Sequence, residues 1–262
     1  MKISISNIAW KPEDDHEMYA FLSSQGIDAI EIAPTRIIQD SPYDQLEKAK
    51  EYRIKLKEIY DLDICSMQSI WYGRVERIFG SEEERKALID YTKKALKFAK
   101  QVDCHNLVFG CPKNRVISSR KDYDIAYAFF SQLGKAAENE GVVISIEPNP
   151  QIYGTNFLNT TAEALSFVKN LNLNSIKINY DMGTVIENSE DYERGLIDMD
   201  IINHVHLSEP GLLPISYNRT QLDIIDRLKE NGYKQFVSIE TKENGDIEAV
   251  KANIMTLKTL AG

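Results

Sequence analysis

The stretch HVHLSEP, His204 to Pro210, sets two of the chain's four histidines one residue apart inside an apolar run. Imidazole can take a proton, give one or ligate a metal near neutral pH, so its chemistry depends on what converges on it. Three other runs end in a carboxylate: VVISIEP carries Glu147, IKINYD carries Asp181 and FVSIET carries Glu240. Side chains alternate across a strand. With Ile144 and Ile146 on one face, Ser145 and Glu147 take the other; Ile178 and Tyr180 leave Asn179 and Asp181. Val205 and Leu207 leave His204 and His206, and Val237 and Ile239 leave Ser238 and Glu240. Any one of these charges could cap a helix or pair with a lysine. Three carboxylates and an imidazole at four strand ends would repel one another and lose hydration unless a cation compensated them. A divalent metal is the inferred compensator.

The elements that must position these residues follow from periodicity. KISIS, DAIEIA, LDICSMQ, NLVFG, VVISIE, SIKINYD, INHVHLS and QFVSIE read as eight strands. Between them HEMYAFLSSQG, YDQLEKAKEYRIKLKEIY, SEEERKALIDYTKKALKFAKQ, YDIAYAFFSQLGKAAENEG, TAEALSFVKNL, DYERGLI and QLDIIDRLKENG read as helices, and IEAVKANIMTLKTL closes the chain. Strict alternation at this count predicts an α/β fold, a single (β/α)8 TIM barrel over residues 1–262. A doubly wound sheet is the alternative, but no G-x-G-x-x-G or G-x-x-x-x-G-K-[ST] turn follows the first strand. Glu147, Asp181, His206 and Glu240 then fall at the C-terminal ends of strands five to eight, the face where this fold builds active sites.

Composition narrows the partners. A formal net charge of -9 argues against nucleic acid, whose binding needs clustered Lys and Arg. Cys65, Cys104 and Cys111 form no Cys-x-x-Cys pair, which predicts neither a disulfide framework nor a zinc ribbon and suits a reducing cytoplasm. The start, MKISISNIAWKPEDD, lacks the apolar core of a leader, and no run approaches the roughly 18 apolar residues of a membrane span.

SIEPN, NYDMGT, HVHLSE and VSIET, in that order, resemble the xylose isomerase-like barrels, a group of sugar phosphate isomerases, ketose 3-epimerases and related dehydratases. The resemblance implies one divalent ion, manganese, magnesium, cobalt or zinc, held by Glu147, Asp181, His206 and Glu240. It implies that Glu147 and Glu240 also move the proton from opposite sides of a bound sugar, through an enediolate. It further implies an isomerase or epimerase of a small sugar, ketose or sugar phosphate in carbohydrate metabolism, with homo-oligomers common among relatives. A dehydratase of a polyol-derived ketone or acid and a non-catalytic sugar-binding barrel are the alternatives. The chain departs from the epimerases at Thr184, where they place a substrate-binding histidine, and at Pro210, which with GLLPISYN stands before the next arginine, Arg219.

Further substrate contacts are expected around the mouth. Glu31 and Gln68 share the inward parity of strands two and three, with an amide in Gln68 that orients without titrating. Trp71 could wall a sugar ring, Lys113 and Arg115 could hold a carboxylate or phosphate, and Asn149, Tyr153 and Glu209 add polar contacts. Each of these has a plainer alternative in packing, internal ion pairs or solvated loop charge. His16 and His105 have no partner motif and are read as surface or helix residues.

Overall fold

In the computed structural model, which describes residues 1–262, the strands are β1 (Lys2–Ile5), β2 (Ala29–Ile32), β3 (Asp63–Met67), β4 (Asn106–Phe109), β5 (Val143–Ile146), β6 (Ile176–Asp181), β7 (Ile202–Ser208) and β8 (Phe236–Glu240). All pairings are parallel, each strand lies beside its sequence neighbour from β2 to β8, and β1 pairs with β8. A parallel bridge between Ser6 and Glu31 joins the remaining edges. The barrel predicted by the alternation of elements is therefore the observed fold.

The helices are α1 (Asp15–Ser24), α2 (Pro34–Ile37), α3 (Leu46–Tyr60), α4 (Glu82–Gln101), α5 (Asp122–Glu140), α6 (Thr161–Leu171), α7 (Met182–Glu187), α8 (Tyr192–Gly195), α9 (Arg219–Glu230) and α10 (Ile247–Ala261). The capping boxes of Ser81 with Glu84, Thr160 with Glu163 and Asn218 with Gln221 start α4, α6 and α9. Each satisfies orphan backbone donors at a helix start, which sets where the chain turns from loop to helix. The short α2 and α7 have no counterpart in the sequence pattern, because one turn or so cannot display a helical period. DYERGLI condenses to the single turn α8.

Outward strand residues and inward helix faces make the apolar core. Ile144, Ile146, Ile178, Val205, Leu207, Val237 and Ile239 are all buried. Phe130 of α5 packs edge-on against Phe109 of β4 and Phe167 of α6, tying two helices to the sheet.

The barrel interior is polar, unlike the branched aliphatic filling usual for this fold. Ser4, Ser66, Asn106, Ser145, Asn179, His204 and Ser238 are buried there. Asn106 is the hub. Its Nδ2 donates to Ser66 Oγ at 2.9 Å, while its Oδ1 accepts from Ser145 Oγ at 2.5 Å and from Asn203 Nδ2 at 2.8 Å. One amide thus links β3, β4, β5 and β7. Asn106→Leu, though more hydrophobic, is expected to destabilise the protein by about 2–4 kcal/mol, because the buried hydroxyls of Ser66 and Ser145 and the half-buried Asn203 amide lose their partner. Urea unfolding checks this; an unchanged midpoint would mean the hub contributes nothing.

Candidate active site and metal centre

Glu147 directly follows β5, Asp181 and Glu240 end β6 and β8, and His206 lies within β7. Their ligand atoms all lie within 4.8 Å of one another, and all four residues are buried. Nδ1 of His206 is 2.9 Å from Glu147 Oε1 and 3.1 Å from Glu240 Oε2. Asp181 is held by Ser208, whose Oγ lies 2.9 Å from Oδ1 and 2.8 Å from Oδ2. Its Oδ1 also accepts from the Thr184 N–H, so Asp181 caps α7. It therefore has both roles open to an acid at a strand end, a helix cap and a candidate ligand.

The direction of the imidazole tests whether this set fits a cation. Nε2 of His206 is hydrogen-bonded to Glu31 Oε2 at 3.1 Å, which places a proton on that nitrogen. Nδ1 is buried with no hydrogen-bond partner despite the two nearby carboxylates, so the ring axis points at neither oxygen. An orphan nitrogen aimed between two carboxylates is what a ligand to a shared cation requires. The separations of His206 Nδ1 from Glu147 Oε1 and Glu240 Oε2, 2.9 and 3.1 Å, are short enough for these donors to share one cation. The residues fit a divalent ion. Glu31, His204 and His206 form a second close group one layer deeper. There the Nε2 of His206 is directed at Glu31 itself, leaving no room for an ion between them, and the contact is a hydrogen bond that fixes the ring.

Charge compensation shapes the proton affinities. Burial, then the charges of Glu147 and Glu240, push Asp181 up to about 7. Burial likewise raises Glu240 against the opposing pull of His206. Burial acts to raise Glu147, but the close approach and charge of His206, with Asn149 and Arg115 behind, hold it below the usual carboxylate value. Burial disfavours charge on His206, yet Glu240, Glu31 and Glu147 overcome it and hold the ring well above its ordinary value. In the protein alone, the imidazolium is the cation among the carboxylates.

Above these side chains opens a cavity of about 180 Å³. Gln68, Asn149, Tyr153, Glu147, Asp181 and Glu240 line its polar side, and Val108, Cys111, Pro112 and Leu212 its apolar side. Tyr153 Oη accepts the Gly211 N–H at 2.8 Å, linking the loops after β5 and β7 over the site. A larger depression of about 630 Å³ lies at the opposite end of the barrel. Of its cations Arg53 pairs with Asp103, Lys57 pairs with Asp61 and Asp63, and Lys2 lies over the Phe236 ring; it contains none of the four clustered residues.

Several residues expected at the substrate lie elsewhere. Glu31 is fully buried beneath the cluster, where His206 and Gln68 occupy its carboxylate. Gln68 does line the cavity, but its Nε2 is shared among Ser6 Oγ, Glu31 Oε1 and Glu240 Oε1. Trp71 is a core residue, donating from Nε1 to Thr92 and packing edge-on against Phe109 and Phe129. Lys113 is exposed and absent from the cavity wall, and Arg115 is wholly buried behind Glu147. Glu209 turns away to hold Ser216, Asn218 and Gln221 at the start of α9. Thr184 Oγ1 donates to the Pro148 carbonyl. His16 is exposed on α1 beside Tyr60, and His105 is exposed as well. Asn179, whose Nδ2 donates to Glu147 Oε1 at 2.7 Å, and Ser208 are supporting residues not singled out from sequence. Their shared parity with Asp181 and His206 was the signal that could have found them.

Comparison with known proteins agrees with this architecture. A family model described as the xylose isomerase-like TIM barrel matches residues 19–260. An uncharacterized protein of Methanocaldococcus jannaschii is 24% identical over 265 residues, covering 96% of this chain and 87% of that protein. Among solved structures, the 3-keto-D-glucoside 4-epimerase of E. coli superposes with a TM-score of 0.80 at 19% identity, covering 99% of each chain. A D-psicose 3-epimerase crystallised in the presence of D-fructose has a TM-score of 0.80 at 17% identity, covering 100% of each. The probable 3-DHS dehydratase of Bacillus anthracis has a TM-score of 0.75 at 16% identity, covering 98% of this chain and 99% of that one. At these identities the superpositions establish a shared fold. No helix of this chain is long and apolar enough to cross a membrane.

The shifted groups set a pH dependence for the metal-free protein. Asp181, Glu240 and His206 hold protons more tightly folded than unfolded, so their contribution is full at low pH and is lost as pH rises through their folded values. The lowered Glu147 and Glu31 act oppositely, but that gain is complete by about pH 5, and His204, lowered by burial, offsets only part of the loss as pH rises through about 6.5. Unfolding in the presence of chelator should therefore show lower stability at about pH 8 than at about pH 5.5. A flat or rising profile over that interval would contradict the charge balance described.

Proposed function

Because the chain belongs to the xylose isomerase-like TIM-barrel family, we propose that it is a divalent-metal-dependent sugar isomerase or epimerase, held to a small uncharged ketose. The observation that carries this reading is the placement of Glu147 and Glu240, 2.9 and 3.1 Å from His206 Nδ1, in the wall of one cavity. Sugar epimerases among the structural neighbours support the same class of reaction.

Glu147, Asp181, His206 and Glu240 would hold the ion, which when bound polarises a carbonyl and its neighbouring hydroxyl and so acidifies the carbon between them. The protein's own side chains do the rest. Glu240, held by the single shared amide of Gln68, is the less restrained of the two and the one to collect the proton and return it. Glu147, pinned by amides on both oxygens, stays ionised on the other side. Tyr153, its oxygen already accepting from Gly211, has its hydroxyl proton free to donate to a sugar oxygen. Val108, Cys111, Pro112 and Leu212 offer an apolar wall for the C–H face of a sugar and keep water away.

The uncharged substrate follows from what the wall lacks. No lysine or arginine lines the cavity, while three carboxylates do. A phosphate or carboxylate there would meet only negative charge apart from the ion, so the reading excludes sugar phosphates and sugar acids. The cavity, about 180 Å³, is of a size to take a monosaccharide unit.

Elemental analysis of protein purified without chelator should find near-stoichiometric divalent metal. The metal-loaded protein should exchange solvent deuterium into free ketoses but not into their phosphates. Glu240→Gln should slow that exchange by about 10²-fold or more. Absence of metal after reconstitution with manganese, cobalt, magnesium and zinc would overturn the reading, and loss of water from the sugar would make the protein a dehydratase.

A further inference from the structure

Arg115 lies behind Glu147, at the end of the turn that follows β4, and is completely buried. Its Nη2 donates to the Glu147 carbonyl at 2.8 Å and to Asn149 Oδ1 at 2.7 Å. Asn149 Nδ2 donates in turn to Glu147 Oε2 at 2.9 Å. The remaining nitrogens of Arg115, Nε and Nη1, are buried without partners. Burying a guanidinium with unmet donors is costly, and a mere strut between loops could be built from an apolar side chain without that cost.

A guanidinium does offer a surface with donors and no acceptor. Asn149, facing it, must turn its oxygen toward Arg115 and its NH2 toward Glu147. With Arg115 replaced by an apolar group, Asn149 Oδ1 would be left buried without a donor, and only the Nδ2 contacts to Glu147 Oε2 and, at 3.1 Å, to the Pro148 carbonyl would hold the amide, so its placement against Oε2 would loosen. We propose that Arg115 is a positioning residue that fixes the Asn149 amide, keeps an N–H on Glu147 Oε2 and thereby leaves Oε1 as the oxygen turned to His206 and the ion. Gly110, just past β4, makes the room: a Cβ there would stand 2.7 Å from Glu147 Oε2 and 3.4 Å from Asn149 Oδ1. This assignment rests on the metal-centre reading for its consequence, but the relay itself is a matter of hydrogen-bond direction in the protein alone.

The test is a double-mutant cycle of Arg115→Met and Asn149→Leu, read by calorimetric titration with Mn²⁺ and by the side-chain amide signals of Asn149 in ¹H–¹⁵N spectra. Arg115→Met is expected to weaken Mn²⁺ binding about tenfold or more and to shift the Asn149 signals away from those of an amide bound to a carboxylate. The double variant is expected to bind Mn²⁺ no more weakly than Asn149→Leu alone, because both changes remove the same interaction. Additive losses, or unaltered Asn149 signals in folded Arg115→Met, would overturn the proposal. If wild-type protein takes up no divalent ion, the metal reading fails and the amide signals alone decide the relay. Should Arg115→Met not fold, Arg115→Lys decides instead: it still presents only donors and should retain the Asn149 signals, whose disappearance would sink the assignment.

Discussion

Crowded negative charge at the mouth of a closed barrel is the constraint on which the rest of this structure depends. Glu31, Glu147, Asp181 and Glu240 are all buried around one imidazole, with Arg115 close behind. Isolated buried carboxylates are prohibitive, so each must be paired, hydrogen-bonded or protonated. The barrel meets that demand in layers. His206 touches three of the four carboxylates, amides of Gln68 and Asn149 occupy oxygens that His206 leaves, Asn179 donates to the Glu147 oxygen that His206 also touches, and Ser208 covers Asp181. Below them, serines and Asn106 replace the usual aliphatic filling. A polar interior gives the mouth's charged groups partners from beneath, at the expense of apolar packing inside the barrel.

What could be read from sequence, and what could not, divides along one physical line. A strand repeats every two residues, so alternation alone sorted inward from outward residues in β5 to β8 and brought Glu147, Asp181, His206 and Glu240 together. Depth is a different quantity. Glu31 shares the inward parity, but its place beneath the cluster depends on register between strands, and β2 and β3 shift register after Ile30. Loop residues obey no period at all. Trp71, Lys113, Arg115 and Glu209 follow strands closely enough to reach the mouth, yet one packs into the core, one faces solvent, one is sealed behind Glu147 and one organises the next helix. Residue type suggested contact with a sugar; direction, set by tertiary packing, decided otherwise.

The same environment makes the two glutamates unequal, although distance to His206 Nδ1 hardly distinguishes them. Glu147 accepts from Asn179 on one oxygen and from Asn149 on the other, with the guanidinium of Arg115 behind. Each of these favours the ionised form. Glu240 accepts from Gln68 alone among the amides, and that donor is shared with Ser6 and Glu31. Burial therefore prevails at Glu240 and is overcome at Glu147. In the protein without an ion, one carboxylate is thus held ionised and the other takes a proton more readily, a difference set by how many amide donors each accepts.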